Sequence, residues 1–172
     1  FQRIHDLAWA AGDSQAKGFL IGATSGRTTL NGEGLQHQDG HSHLFSATIP
    51  NCLSYDPAYA YELAVIFQHG IQKMFVDLEN YYYYITVTNE NYEQPAKPKG
   101  ADEGIIKGMY RLIKNKDHQV ILMGSGSILN ESVKAVGILS SVGIAAEVWS
   151  VTSFNMLRKD GIDKQRFNEL NP

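Results

Sequence analysis

Between Leu30 and Asn51 the chain reads LNGEGLQHQDGHSHLFSATIPN, which puts Glu33, His37, Asp39, His41 and His43 into one glycine-punctuated loop. No helix or strand is expected within it. Three chemistries suit these side chains. Histidines and carboxylates ligate metals, exchange protons near neutral pH, or simply solvate a turn. For a metal, His37, Asp39, His41 and His43 have the right type and number, but all lie within seven residues of one loop. Zinc sites draw their ligands from separated, rigid elements and often include cysteine. For a solvated turn, the composition suffices, yet Gly26, Gly32, Gly34 and Gly40 are unusually dense. Glycines at that density let a backbone approach a ligand closely.

The elements that must position this loop follow from hydropathy. Gly18 to Thr24 is a short apolar run suited to a buried parallel strand, so the loop leaves a carboxyl end, where open α/β sheets place their ligands. Ile49 to Ser54 is a second strand. Asp56-Pro57 then reads as a helix start, Asp as N-cap and Pro in the first turn. That helix runs from Pro57 to about Phe75, with Leu63, Phe67, Gly70, Ile71, Met74 and Phe75 on its apolar face. Tyr81 to Val87 is a third strand by propensity. Its four consecutive tyrosines could suggest a stacking platform, but neighbours along a strand point to opposite faces, which favours a core strand.

Asn91 to Gly104 carries Pro95, Pro98 and Gly100 without apolar periodicity and reads as a linker. Strands follow at Gly108 to Lys114, Val120 to Met123 and Glu147 to Val151. Between the last two lies a helix with Leu129, Val133 and Val136 on one face and Gly143 as its stop. The whole is layered α/β, two incomplete units divided near residue 100.

Two further glycine turns are weaker signals. Gly124-Ser125-Gly126 sits between strand and helix as a dinucleotide fingerprint would, but Leu129 occupies the third glycine's place. Glu147 would open its strand, whereas a ribose-binding acid belongs at a strand's end. A tight turn is the better reading. Gly22 to Thr28 lacks the spacing and the lysine of a phosphate loop.

Composition narrows the class. An apolar fraction of 43% supports a packed core across 172 residues, and a net charge of -3 argues against a nucleic-acid partner. No apolar run approaches the roughly 18 residues of a membrane span. The single cysteine, Cys52, cannot pair internally, which suits a reducing cytoplasm, and its apolar neighbours make it a buried residue rather than a nucleophile. The chain opens at Phe1 and stops at Pro172 after a helix-like segment, as though both ends were cut from something longer.

Gly32-Glu33-Gly34-Leu35-Gln36-His37-Gln38 resembles the loop with which thiamine-diphosphate enzymes of the transketolase superfamily bring a histidine to the substrate cavity. Reading outward, TSGRTTLNGEGLQHQDGHSH, IPNCLSYDPAYAYE, YYYIT with NENY, LMGSGSIL and WSVTSF are similar to homodimeric bacterial pyruvate dehydrogenases, the acetyl-transferring first components of their complex. Transketolases usually carry Pro-Thr before this histidine. Here Gln36 precedes it and Asp39 to His43 follow, which favours the dehydrogenases over another superfamily member.

The resemblance covers essentially the whole chain. It implies that residues 1–100 are the latter part of a thiamine pyrimidine-binding domain and that residues 101–172 begin a C-terminal transketolase-like α/β domain. It implies thiamine diphosphate and Mg2+ as cofactors, held mostly by segments outside this chain. The implied partners are pyruvate, the lipoyl domain of a dihydrolipoyl acetyltransferase and a second copy of the enzyme. His37 carries over as the catalytic residue for substrate recognition or proton transfer, Glu33 as support for the loop, and His41 and His43 as structural hydrogen-bonding residues. Isolated, such a chain is expected to be an inactive structural piece.

Overall fold

The computed structural model describes residues 2–23, 41–88 and 90–172, and among these residues six short strands and six α-helices largely alternate. A 3-10 turn, Gln2–Ile4, leads into α1 (His5–Asp13). Then come β1 (Phe19–Gly22), α2 (Ser42–Ser46), β2 (Cys52–Tyr55), α3 (Ala60–Ile71) and β3 (Tyr82–Thr86). The second half holds α4 (Asp102–Lys107), β4 (Met109–Ile113), β5 (Val120–Gly124), α5 (Ile128–Ser141), β6 (Ala146–Val151) and α6 (Phe154–Leu170). Among the described residues no helix is long and apolar enough to cross a membrane.

Two three-stranded sheets result. The first, in order β1-β3-β2, is parallel throughout, with Leu53 and Phe19 both level with Tyr83. The second, in order β4-β6-β5, has β5 parallel and β4 antiparallel to β6. β3 is central in the first sheet and all five of its residues are buried. Its tyrosines divide between faces as strand geometry requires. Tyr83 and Ile85 join Tyr55, Ile66 and Met74 in one cluster, while Tyr82 and Tyr84 join Ala8, Ile49 and Cys52 in another. Side chains such as Ile85 and Ile66, fully buried, each contribute roughly 1.5–3 kcal/mol.

Four expectations need correction. The loop after β1 contains a regular element, the short helix α2. The linker ends before residue 104, because Asp102–Lys107 is a helix that buries Ile105 in the core and stops at Gly108 in the left-handed region. The helix expected from Pro57 begins at Ala60. Tyr59 stays extended before it, and the Glu62 carboxylate accepts from the backbone N–H of Ala58 and Tyr59 at 2.6 and 3.0 Å. The same helix then widens into a π turn, Gln72–Val76, which shifts its register. Ile66, Gly70 and Met74, four residues apart, form the buried face, while Ile71 and Phe75 are half exposed.

Candidate active site

The carboxyl ends of the parallel strands converge on the only buried carboxylate at that edge of the first sheet among the described residues. β2 ends at Tyr55 and the next residue, Asp56, is 6% exposed. Its Oδ1 accepts the Thr86 hydroxyl at 2.5 Å from the end of β3, and its Oδ2 accepts the Ser125 hydroxyl at 2.8 Å from the turn after β5. The backbone is clamped as well. Asp56 N–H donates to Thr152 O at 2.7 Å, and Gly126 N–H donates to Asp56 O at 3.1 Å. One residue thus ties together the carboxyl ends of β2, β3, β5 and β6.

This explains the glycine turn. Gly126 has φ +53, and a Cβ there would stand 2.9 Å from Asp56 Oδ1. The carboxylate packed over this turn is the protein's own Asp56, held there by the Ser125 and Thr86 hydroxyls. No dinucleotide is needed to account for Gly124-Ser125-Gly126. Glu147, the other half of that reading, is the second residue of β6. It accepts the Trp149 indole N–H at 2.7 Å and pairs with Arg111. Burial alone would raise its pKa, but the Trp149 hydrogen bond, the Arg111 guanidinium and His118 hold it below the usual carboxylate range.

The histidine stretch attaches to the same edge. Ala23 lies one residue past β1, and His41 and α2 follow residue 40. Glu33, His37 and Asp39 lie outside the described residues. His41 is the N-cap of α2, with its ring 6.5 Å from that of Phe45. His43 Nε2 is 3.0 Å from Thr86 Oγ1, and its ring is 5.2 Å from that of Tyr84. Asn155, in the first turn of α6, donates to His43 O at 2.7 Å and to Ser54 Oγ at 2.5 Å. α2 is therefore fastened to β2, β3 and α6 at once.

A second buried carboxylate fastens the two sheets lower down. Glu62 Oε1 accepts Tyr110 OH at 2.7 Å and Ser150 Oγ at 2.6 Å, both from the second sheet. Burial, reinforced by the Glu62 charge, raises the Tyr110 pKa far above the tyrosine range and keeps its hydroxyl a donor. Tyr55 OH donates to Ile106 O and Thr152 Oγ1 to Ile105 O, which anchors α4 between the sheets. Cys52 is buried, and burial pushes its thiol up to about 11, with Tyr82 and Lys159 opposing weakly. It is not a nucleophile near neutral pH.

These three buried carboxylates are each engaged by protein donors, and among the described residues no group of three His, Cys, Asp or Glu side chains converges to hold a metal. They therefore do not fit a magnesium–diphosphate group. Sequence reasoning took Asp56 for a helix cap and passed over Thr86 and Glu62. The signal that could have singled out Asp56 is its place, one residue past the carboxyl end of a parallel strand.

Comparison with known proteins agrees with this architecture. Residues 1–95 match the family described as Pyruvate dehydrogenase E1 component middle domain, and residues 108–169 match the Transketolase-like TK C-terminal domain. Over the whole chain it is 63% identical to the Pyruvate dehydrogenase E1 component of Pseudomonas aeruginosa and 61% identical to that of Escherichia coli K12. It spans 20% of the length of each. Among solved structures, transketolase from Campylobacter jejuni superposes with a TM-score of 0.74 at 21% identity, covering 92% of this chain and 24% of that one. A transketolase from Pichia stipitis gives 0.65 at 20% identity, covering 89% and 22%. At that identity the likeness concerns the fold. The two family matches and the full-length identity together place the chain in the pyruvate dehydrogenase E1 component family.

Proposed function

We propose that the chain forms one wall of the substrate site in a thiamine-diphosphate-dependent pyruvate dehydrogenase. That enzyme decarboxylates pyruvate and passes the acetyl group to lipoyl groups of a dihydrolipoyl acetyltransferase. Residues 1–100 serve as the latter part of the pyrimidine-binding domain and residues 101–172 begin the C-terminal domain. The whole enzyme works as a cytoplasmic homodimer. The observation that supports this reading best is the attachment of the histidine stretch, at Ala23 and His43, to the carboxyl edge of a parallel sheet in a chain of this family.

Thiamine diphosphate, when bound, supplies the nucleophile and the electron sink. Its diphosphate and Mg2+ contacts fall, as the family resemblance implies, mostly to segments outside this chain, and the buried carboxylates described here are engaged by protein donors. The task of this chain is orientation and charge placement. Pyruvate is an anion whose carbonyl oxygen gains negative charge on attack. His37 donates an N–H toward those oxygens in a site shielded from water, and it exchanges a proton near neutral pH. Glu33 braces the loop. A steady-state assay of the whole enzyme with pyruvate and, separately, with ketose phosphates tests the assignment. Turnover of pyruvate that depends on thiamine diphosphate and Mg2+ is expected. Turnover of ketose phosphates in its place would overturn it.

A further inference from the structure

Thr86 Oγ1 is in contact with Asp56 Oδ1 at 2.5 Å and with His43 Nε2 at 3.0 Å, but a hydroxyl has one proton to give. A carboxylate only accepts. Asp56 receives a second hydroxyl, from Ser125 at 2.8 Å, and a carboxylate that takes two hydroxyl donors acts as an acceptor. The Thr86 proton therefore goes to Asp56, and Thr86 oxygen is left to accept from His43. We propose that Asp56 is a positioning residue for the histidine-bearing edge: through the Thr86 hydroxyl it holds the His43 imidazole with a proton on Nε2.

The consequence is directional. In the neutral ring Nδ1 then carries the lone pair, and the ring plane is set by Thr86 on one side and by Tyr84 on another. Thr86 holds the His43 ring and Asn155 its carbonyl, so the start of α2 is fixed against the sheet edge from two sides. Ser125 makes the arrangement a link between the halves. A displacement of the turn after β5 pulls on the same carboxylate that orients Thr86. Nothing in the local sequence signals this chain of contacts, since His43, Asp56, Thr86 and Ser125 come from α2, the residue after β2, β3 and the turn after β5.

This inference rests on the proposed function for its catalytic meaning, but the proton positions can be read independently. Neutron diffraction from deuterated crystals of the whole enzyme should show deuterium on His43 Nε2 and the Thr86 deuteron directed at Asp56 Oδ1. A Thr86 deuteron directed at His43, or a deuteron on Asp56, would overturn the proposal. Kinetics of the whole enzyme supply the second arm. Thr86→Val keeps the shape and removes the hydroxyl, and should lower kcat by roughly tenfold or more with thiamine diphosphate affinity nearly unchanged, alongside a fall in Tm because the buried Asp56 loses a donor. Thr86→Ser restores the hydroxyl and should recover most of that loss. Wild-type kcat in Thr86→Val would overturn the positioning role. His37→Ala separates the two ideas. If His37→Ala loses activity and Thr86→Val does not, the positioning role alone fails. If His37→Ala is fully active while the deuterium positions hold, the proposed function fails and the proton arrangement stands.

Discussion

Asp56 and Gly126 meet where the two sheets join, with the Gly126 N–H on the Asp56 carbonyl at 3.1 Å and the carboxylate folded over the glycine Cα. Gly126→Ala is expected to destabilise by more than the roughly 1–2 kcal/mol of left-handed backbone strain alone, because its Cβ would stand 2.9 Å from Asp56 Oδ1. Gly143→Ala is the control. It has φ +78 with nothing within 4 Å, so it should show the strain by itself. Denaturant midpoints of both variants check this, and an equal or smaller loss for Gly126→Ala would contradict the close approach.

Glu62 holds four donors from two sheets, the N–H of Ala58 and Tyr59 and the hydroxyls of Tyr110 and Ser150. Glu62→Ala takes the shared acceptor from all four in a fully buried place, with the Tyr61 hydroxyl left as a partner for Tyr110 OH, and should cost about 3–5 kcal/mol. Glu62→Gln keeps one good acceptor and should cost less. Thermal unfolding distinguishes them, and a Glu62→Ala protein as stable as wild type would show that the network contributes nothing net.

The pH dependence of stability contains a histidine contribution of definite sign. Tyr83 OH lies 3.0 Å from His69 Nδ1, and burial, with Lys73 nearby, lowers the His69 pKa despite Glu79 and Asp77. The unfolded chain, with an ordinary value near 6.5, then binds the proton more readily than the fold does. Stability is fully present above about pH 6.5 and falls as pH drops from there toward the folded value. His69→Gln should flatten the Tm curve between about pH 7 and 5. A wild-type curve no steeper than that of the variant would refute the assignment.

Much of the scaffold was legible because it rests on local rules. The alternation in Tyr82 to Thr86, the turn at Gly143 and the short apolar strands each follow from neighbours in sequence. The misreadings arose where distant groups decide. Asp56-Pro57 has the local form of a helix start, yet hydroxyls from Thr86 and Ser125, 30 and 69 residues away, take the carboxylate, and Glu62 caps the helix instead. α4 was hidden because Gly104 and a six-residue length weaken its periodicity, and it forms by burying Ile105 between the sheets. The candidate site divides the same way. The histidines are conspicuous by type, whereas Asp56 and Thr86 acquire their meaning only when β2 and β3 lie side by side.

Steady-state pyruvate kinetics of the whole enzyme, wild type against His37→Ala, decide whether the proposed action of His37 on substrate holds. A hydrogen bond to a charged group contributes about 1.5–3 kcal/mol. At about 1.4 kcal/mol per tenfold change, His37→Ala should lower kcat/KM roughly 10- to 100-fold. Tm and thiamine diphosphate affinity should stay close to wild type, since other segments hold the cofactor. An unchanged kcat/KM, or a fall matched by equal losses of Tm and cofactor binding, would show that His37 does not act on substrate.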